Sequence, residues 1–159
     1  CHHEIHKALA KELGLERVAD VENHHNFAWK ETWQGRDVIV HRKGATPAQA
    51  GVLGVIPGSQ GHNSYVVRGL GEAASLNSAS HGAGRQMSRK QALQTIPKAD
   101  RNAWLAERGI ELLAGGMDEA PQAYKNINEV LALQTDLIEP VATFQPEVVL
   151  MAGDGRSEG

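Results

Sequence analysis

The spacing of apolar residues changes several times along the 159-residue chain, and each change predicts a different element. Residues 2–13 carry apolar side chains four positions apart and end at Gly14, a pattern typical of an amphipathic helix with a glycine stop. Apolar residues in 26–33 and 36–41 flank polar positions on either side of a Gln34-Gly35 turn, which predicts a β-hairpin.

Continuous apolar runs, turn residues and helical periodicity predict the remaining elements. We expect further strands at 52–56, 64–68 and 142–151, a turn from Gly44 to Pro47, a loop over 75–80, helices at 83–95, 98–108 and 122–135, and a polar tail over 153–159. Strands followed by helices and a final strand indicate an α+β fold in which helices pack on mixed β-sheets.

Composition narrows the class of protein. A net charge of −3 excludes a generally basic nucleic-acid binder, so any nucleic-acid contact has to come from a local cluster of cations. The single cysteine excludes an internal disulfide and fits a cytoplasmic location. No apolar run reaches membrane-spanning length, so we expect no membrane association. The chain starts inside a helical pattern without methionine, which indicates a piece of a longer protein.

The segment Ser80 to Arg85 is the strongest candidate for chemistry. It places His81 before small residues and a predicted helix, where a ligand can approach the backbone and exposed N–H groups favour anions. Arg85 and Arg89 would lie one turn apart on that helix and add positive charge. This pattern indicates a phosphate site with a histidine directed at phosphorus. The alternative is a glycine-rich helix start with a surface histidine.

Two other segments carry candidate ligands. Only one of His24 and His25 can face a given site from an extended chain, and that ring could bind a metal; the alternative is one packed and one solvated histidine. Arg42 and Lys43 follow a strand and could contact phosphate oxygens, or could form a solvated hairpin end.

The loop between the strands at 52–56 and 64–68 is rich in glycine and short hydroxyl residues. Its backbone donors could turn towards an anion or a nucleobase, or the loop could simply connect two strands. His62 within it is expected at the surface. Tyr124 could stack on a base, or it could belong to a helix and pack in the protein core.

Taken in order, these segments resemble the RtcB family of RNA-splicing ligases. The resemblance rests on His24-His25-Asn26, His41-Arg42-Lys43-Gly44-Ala45-Thr46, Ile56-Pro57-Gly58-Ser59, Ser64-Tyr65-Val66-Val67, Ser80 to Arg85 with Met87-Ser88-Arg89, and Asp118 to Lys125. These ordered blocks span most of the chain and are far more specific than a single glycine motif. The resemblance implies that residues 1–159 are the C-terminal portion of an RtcB-type ligase fold.

The resemblance also implies a reaction. His81 would attack the α-phosphorus of GTP to give a histidine–GMP phosphoramidate. The GMP would pass to an RNA 3′-phosphate, derived where necessary from a 2′,3′-cyclic phosphate, and a 5′-hydroxyl would displace it. Mn²⁺ would neutralise and align the phosphates, with His25 as a metal ligand. The partners would be the N-terminal part of the ligase, RNA and an activating protein.

Further site residues follow from the same resemblance. Arg85 would hold phosphate near the nucleophile, and Tyr124 would lie beside the guanine. The positions that match guanylate contacts are His25, Asn26, Pro57, Gly58, Ser59, Gln60, Ser64, His81, Gly82, Ala83 and Gly84.

The sequence departs from the family in two respects. The family's other metal ligands, an Asp, a Cys and two His, would lie before Cys1, so this chain is expected to act only with the N-terminal part. Many members end in a Lys-Gly that contacts guanine, whereas residues 151–159 contain no lysine, and Arg156 is a candidate substitute. The alternatives to a ligase are a non-catalytic RNA-binding or assembly module of the same fold and a metal-dependent phosphoesterase.

Overall fold

The computed structural model describes residues 2–14, 16 and 18–151, so the expectations for Cys1, Arg156 and the polar tail lie outside the described residues. In chain order the elements are α1 His2–Leu13, β1 Asn26–Trp33, β2 Arg36–Lys43, β3 Ala45–Pro47, β4 Leu53–Ile56, β5 Ser64–Gly69, β6 Ser78–Ser80, α2 Arg89–Thr95, α3 Lys98–Ala106, β7 Glu111–Ala114, α4 Ile127–Ala132, β8 Ile138–Phe144 and β9 Val148–Leu150. Short 3₁₀ turns cover 73–75, 117–119 and 121–123.

Helix α1 and the β1–β2 hairpin confirm the predictions for the first third of the chain. Trp33 pairs with Arg36 across a two-residue turn. Gln34 and Gly35 have φ angles of 49° and 75°, the left-handed values that a tight hairpin turn requires and that glycine adopts without strain. The hairpin therefore has a fixed register, which matters for the residues at its open end.

The core lies between a three-stranded antiparallel sheet, in the order β4–β5–β8, and helix α4. Ile56 and Val67 contribute from the sheet, and Ile127 and Leu131 from the helix; none is more than 8% exposed. Their burial removes apolar surface from water, which is the main stabilising contribution to such a fold. Antiparallel sheets and a separate parallel pair, packed with helices, confirm the predicted α+β class.

Two short strands occupy segments that we predicted as a turn and a loop. β3 pairs antiparallel with β6, with Ala45 opposite Ser80. Serine and asparagine favour turns because their side chains compete for backbone hydrogen bonds. Here the left-handed Leu76 and Asn77 complete the turn just before β6, and pairing with β3 then satisfies the backbone. Tertiary pairing overrides local preference.

Two predicted helices begin later than the sequence pattern indicates. The helix predicted from residue 83 starts at Arg89, capped by the Ser88 hydroxyl, and the one predicted from residue 122 starts at Ile127. Gly84 has a φ of 75°, which leaves the helical region, and Arg85 pairs with Tyr124 in an isolated β-bridge. Residues 81–88 are therefore loop, and the expected helix N-terminus beside His81 is wrong. α3 confirms the helix predicted at 98–108, ending slightly earlier.

The single strand predicted at 142–151 is two strands. Pro146 lies between β8 and β9, and because proline lacks a backbone N–H it interrupts the hydrogen-bond ladder. β9 pairs in parallel with β7, a strand that the sequence analysis missed. Gly109, with a φ of 68°, separates β7 from the preceding helix. Among the described residues, every helix is too short or too polar to cross a bilayer.

Candidate functional site

Gly44 brings His25 and His81 together. Its N–H donates to the His25 carbonyl and its own carbonyl accepts from the His81 N–H, both at 3.1 Å. The geometry follows from the pairing, because β1 begins opposite the end of β2 and β6 ends opposite the start of β3. The two imidazole centroids lie 4.9 Å apart with their planes nearly perpendicular, at 84°.

Both imidazoles line a cavity of about 350 Å³. Its other lining residues come from the segments after β2, β4, β6, β7 and β9 and from α4: Gly44, Pro57, Gly58, Ser59, His62, Gly82, Ala83, Gly84, Glu119, Tyr124, Ile127 and Met151. This volume lies within the usual range for small-molecule sites. The predicted cluster of His25, residues 57–59 and residues 81–84 is thus brought to one cavity.

The environment of His81 keeps its ring neutral. Burial lowers the pKa of His81 below the ordinary value of 6.5, because the charged form loses solvation, and the neighbouring His25 lowers it further. A neutral imidazole carries a lone pair on one ring nitrogen. His81 can therefore act as a nucleophile or as a metal ligand at neutral pH.

His24 and His25 face different surroundings, as we predicted. The His24 ring stacks on Phe27 with centroids 4.5 Å apart. His25 instead lines the cavity, and its ring nitrogens have no hydrogen-bond partner among the residues that the structure describes. The Asn26 side chain does not reach this cavity; its Oδ1 lies 2.7 Å from Nε2 of His41.

The loop after β4 is held by its own short hydrogen bonds. The Gly58 N–H donates to Oγ of Ser64 at 2.9 Å, and Oγ of Ser59 lies 2.7 Å from Nδ1 of His62. Ser64 therefore shapes the loop without lining the cavity. Gln60 is fully buried and its side chain donates to the Gly116 carbonyl at 2.8 Å, so this side chain does not line the cavity. Its side chain fixes the loop from the opposite side.

Replacing Gly58 with alanine is expected to destabilise this loop. The added Cβ would lie 2.0 Å from the His62 carbonyl oxygen, a backbone atom that can yield only if the loop moves. We expect a loss of about 1–3 kcal/mol in the free energy of unfolding of the complete protein, measured by urea titration. Gly82→Ala is the matched control, since its nearest contact would be 3.7 Å away. Equal stability of the two variants would contradict this account.

Tyr124 closes one side of the cavity in a network with charged neighbours. Its hydroxyl donates to Glu119 and accepts from Arg85 at 3.1 Å, and the Arg85 guanidinium lies 5.0 Å from the centre of its ring. Burial and the Glu119 hydrogen bond raise the pKa of Tyr124, so its hydroxyl stays protonated. The tyrosine is extended backbone rather than helix, and it lines the cavity as the base-stacking alternative requires.

The two arginines of the basic segment are paired with acidic residues. Arg85 donates to the carbonyls of Met87 and Asp118 and lies 3.5 Å from the Glu119 carboxylate. Arg89 pairs with Asp118 and with Glu119, the latter at 2.5 Å. The expectation of a shared helix face is wrong because residue 85 precedes the helix. In this arrangement both guanidinium groups neutralise carboxylates and brace the segment around Tyr124.

Arg42 also differs from its expected role. Its side chain is 2% exposed and forms a bidentate pair with Glu31, at 2.5 and 3.2 Å, while Nε donates to Ser78 Oγ at 2.8 Å. The guanidinium faces away from solvent because alternate residues of β2 point to opposite sides of the hairpin. Arg42 therefore does not fit a phosphate contact, whereas Lys43 beside it is exposed.

The sequence analysis missed five residues that line the cavity: Gly44, His62, Glu119, Ile127 and Met151. His62 was expected at the surface but lines the cavity, where burial and then Arg108 lower its pKa. Glu119 lies inside one of the resembling blocks, and Gly44 lies between two predicted strands. The nearby Ser59 was the available signal for His62. The ends of the strands on either side of Gly44 were the available signal for Gly44.

The described residues hold no group of three or more His, Cys, Asp or Glu side chains that could bind a metal ion. His25 and His81 supply two imidazoles to one cavity. A transition metal usually takes more protein ligands than these, so any further ligands would have to come from outside the part of the chain that is described.

Comparison with known proteins agrees with the resemblance. The family model described as tRNA-splicing ligase RtcB matches residues 1–152. The RNA-splicing ligase RtcB of Escherichia coli K12 is 43% identical over 136 residues, which cover 86% of this chain and 33% of that protein. The protein of the same name from Mycobacterium tuberculosis is 38% identical over 145 residues, covering 77% and 34%. The chain thus spans about a third of these relatives, and it belongs to the RtcB family.

Proposed function

We propose that this chain is the nucleophile-bearing portion of a GTP- and Mn²⁺-dependent RNA ligase. The observation that carries the proposal is a neutral, half-buried His81 that lies beside His25 in a cavity whose walls are rich in glycine backbone. Membership of the RtcB family, whose relatives are named as RNA-splicing ligases, supports the same conclusion. A cytoplasmic location is part of the proposal.

The proposed reaction is the one that the family resemblance implies, with the imidazole of His81 as the nucleophile. In the first step a ring nitrogen of His81 forms a bond to the α-phosphorus of GTP, and the bond from that phosphorus to the bridging oxygen breaks to release pyrophosphate. In the second step an RNA 3′-phosphate oxygen takes the GMP and frees His81. In the third step an RNA 5′-hydroxyl attacks that 3′-phosphate, and GMP leaves as the strands join. A 2′,3′-cyclic phosphate end would first be opened by water.

The residues around His81 suit the developing charges. Gly82, Ala83 and Gly84 carry no bulky side chains, so phosphate oxygens can approach their backbone. Tyr124 would lie beside the base, with its hydroxyl held by Glu119. Lys43 is an exposed cation at the open end of the hairpin and would attract the RNA backbone.

His25 is the residue of this chain that would hold Mn²⁺. Its ring faces the cavity and its nitrogens have no hydrogen-bond partner among the described residues, as a ligand requires. A bound manganese ion would neutralise and align phosphate oxygens near His81. The remaining ligands would come from an N-terminal part of the ligase, so we propose that activity needs both parts, with an activating protein as a further partner.

The proposal is tested by incubating the complete protein with Mn²⁺ and GTP labelled at the α-phosphorus. We expect label bound to the protein, and its transfer when RNA with a 3′-phosphate end and RNA with a 5′-hydroxyl end are added. Omitting GTP should stop joining. RNA binding without labelling would instead indicate a non-catalytic module. Release of inorganic phosphate from RNA ends without GTP would indicate a phosphoesterase.

A further inference from the structure

A second cavity of about 650 Å³ opens beside the His81 cavity, and His62, Tyr124 and Ile127 line both. We call it the Trp104 groove, after the tryptophan that lies among its lining residues. The two cavities are adjacent, because these three residues line both. The groove is therefore placed to receive the nucleotide next to a reacting end.

Trp104 is held firmly at this groove. A Cβ on Gly61 would lie 2.2 Å from the indole ring, so the backbone of residue 61 packs directly against it. The His62 ring lies 5.2 Å from the indole at 64°, an edge contact. The Arg108 guanidinium carbon lies 3.6 Å from the indole centroid, and its NH1 donates to the Trp104 carbonyl at 3.0 Å. The result is a rigid stack of a planar cation on an aromatic ring.

The Arg108 side chain is 42% exposed, and its NH1 lies 3.6 Å from the carboxylate of the exposed Glu107, so part of the guanidinium is accessible from solvent. Nucleobases of single-stranded RNA stack on aromatic rings and on guanidinium planes. Arg108 is already oriented by Trp104, so a base stacking on it would order few further groups. The stack therefore offers one preformed face to a base.

The remaining lining is rich in amide side chains rather than in charge. Six of the lining residues are Asn or Gln: Asn63, Gln86, Gln122, Asn126, Asn128 and Gln145. Oε1 of Gln122 is buried without a hydrogen-bond partner among the described residues. Arg108 and Glu129 are the only Lys, Arg, Asp or Glu residues in the described lining, and their charges cancel. Amides both donate and accept hydrogen bonds, which suits the edges of bases.

We propose that the Trp104 groove binds a base of the RNA strand whose end reacts at His81, by stacking on Arg108 and by hydrogen bonds to the groove amides. This inference rests on the proposed ligase function. A peptide partner is less well matched, because the centre of a protein interface is more apolar than this amide-rich lining. A path for the RNA phosphates is also less well matched, because the groove carries no net positive charge.

The test uses the complete protein with Arg108→Ala and Arg108→Lys, the second keeping the charge but losing the planar group. RNA substrates carry a normal nucleotide or an abasic nucleotide at the 3′-phosphate end, and separately at the 5′-hydroxyl end. We expect the wild type to have about a tenfold higher KM for one of the abasic substrates. Both variants should show the same increase in KM with the normal RNA. Removing the base from the RNA should then raise the KM of the variants little further. Lys98→Ala, which removes an exposed cation from α3, should behave as wild type.

Labelling with GTP distinguishes a failure of the proposed ligase function from a failure of base binding in the Trp104 groove. The Arg108 variants should become guanylylated at the wild-type rate, because Arg108 lies outside the His81 cavity. If the wild type itself takes no label, the ligase function is wrong. If labelling is normal but the Arg108 variants join both kinds of RNA like the wild type, the groove does not bind a base. If the Arg108 variants raised KM by the same factor with normal and with abasic RNA, the inference would also be overturned. Loss of stability without loss of RNA affinity would overturn it as well.

Discussion

Replacing His81 with alanine is expected to abolish transfer of GMP to the protein. The variant lacks the only atom that can form the covalent bond to phosphorus in the proposed mechanism, while its neighbours Gly44 and Ser80 keep their backbone pairing. Loss of a nucleophile typically lowers the rate by orders of magnitude, so we expect on the order of 10³-fold or more. The measurement is incorporation of α-labelled GTP into the complete protein, followed on a denaturing gel.

His24→Ala is the matched control for this experiment. His24 lies one residue from His25, but its ring stacks on Phe27 outside the cavity, so the variant should retain labelling within a few-fold. In the wild type, the bond between His81 and GMP should be cleaved by acid and should resist alkali, as a phosphoramidate does. Label that persists in His81→Ala would remove His81 from the mechanism, and loss of label in both variants would point to damage of the hairpin end.

Replacing Glu31 with glutamine is expected to cause the largest loss of stability among the substitutions considered. Arg42 is 2% exposed, and Glu31 is its charge partner, itself only 14% exposed in its side chain. Removing one charge of a buried pair leaves the other uncompensated, which costs about 3 kcal/mol. The measurement is the free energy of unfolding of the complete protein by urea titration, and ligation at low temperature should survive in the fraction that stays folded.

The exposed pair of Lys30 and Asp37 on the same hairpin is the control. Their side chains are 73% and 62% exposed and lie 3.1 Å apart, so Asp37→Asn should cost less than about 1 kcal/mol. If Glu31→Gln costs no more than Asp37→Asn, the buried pair does not hold the hairpin as described. A strong loss of RNA affinity without loss of stability would instead restore the phosphate role for Arg42.

Acid should reduce the difference between wild type and Glu31→Gln. The Arg42 hydrogen bond holds the pKa of Glu31 below its ordinary value of 4.5, and this outweighs the opposing effect of burial. The stabilisation is therefore fully present above pH 4.5 and is lost as the pH falls through the lowered pKa of the folded protein. Unfolding titrations at pH 7 and at successively lower pH should show the two proteins converging. A constant difference would contradict the assigned ion pair.

The sequence predicted the elements whose pattern is local. The hairpin, α1, α3 and the strand pair β4–β5 follow from periodicity and turn residues, and the cavity residues at 57–59 and 81–84 follow from a family resemblance carried by contiguous motifs. What it missed depends on contacts between distant segments. β3 and β6 exist because they pair with each other, and the start of α2 is delayed because Arg85 pairs with Tyr124.

Side-chain direction was the other source of error. Arg42 and Lys43 are adjacent cations in the sequence, but the alternation of a strand sends one into a buried ion pair and leaves the other in solvent. Gln60 sits among true cavity residues, yet its side chain turns inward to Gly116. His62, given no role from sequence, faces both cavities. None of these directions can be read from residue type alone.

A single residue, Gly44, serves as the common reference point for the main chains of His25 and His81. The positions of these two main chains are set by hydrogen bonds to Gly44, so nearby side-chain substitutions that keep these bonds leave both backbones in place. The same arrangement makes the pair intolerant of register error. A slip of one residue in either strand pair would turn one ring to the opposite face, and the two rings would no longer lie together.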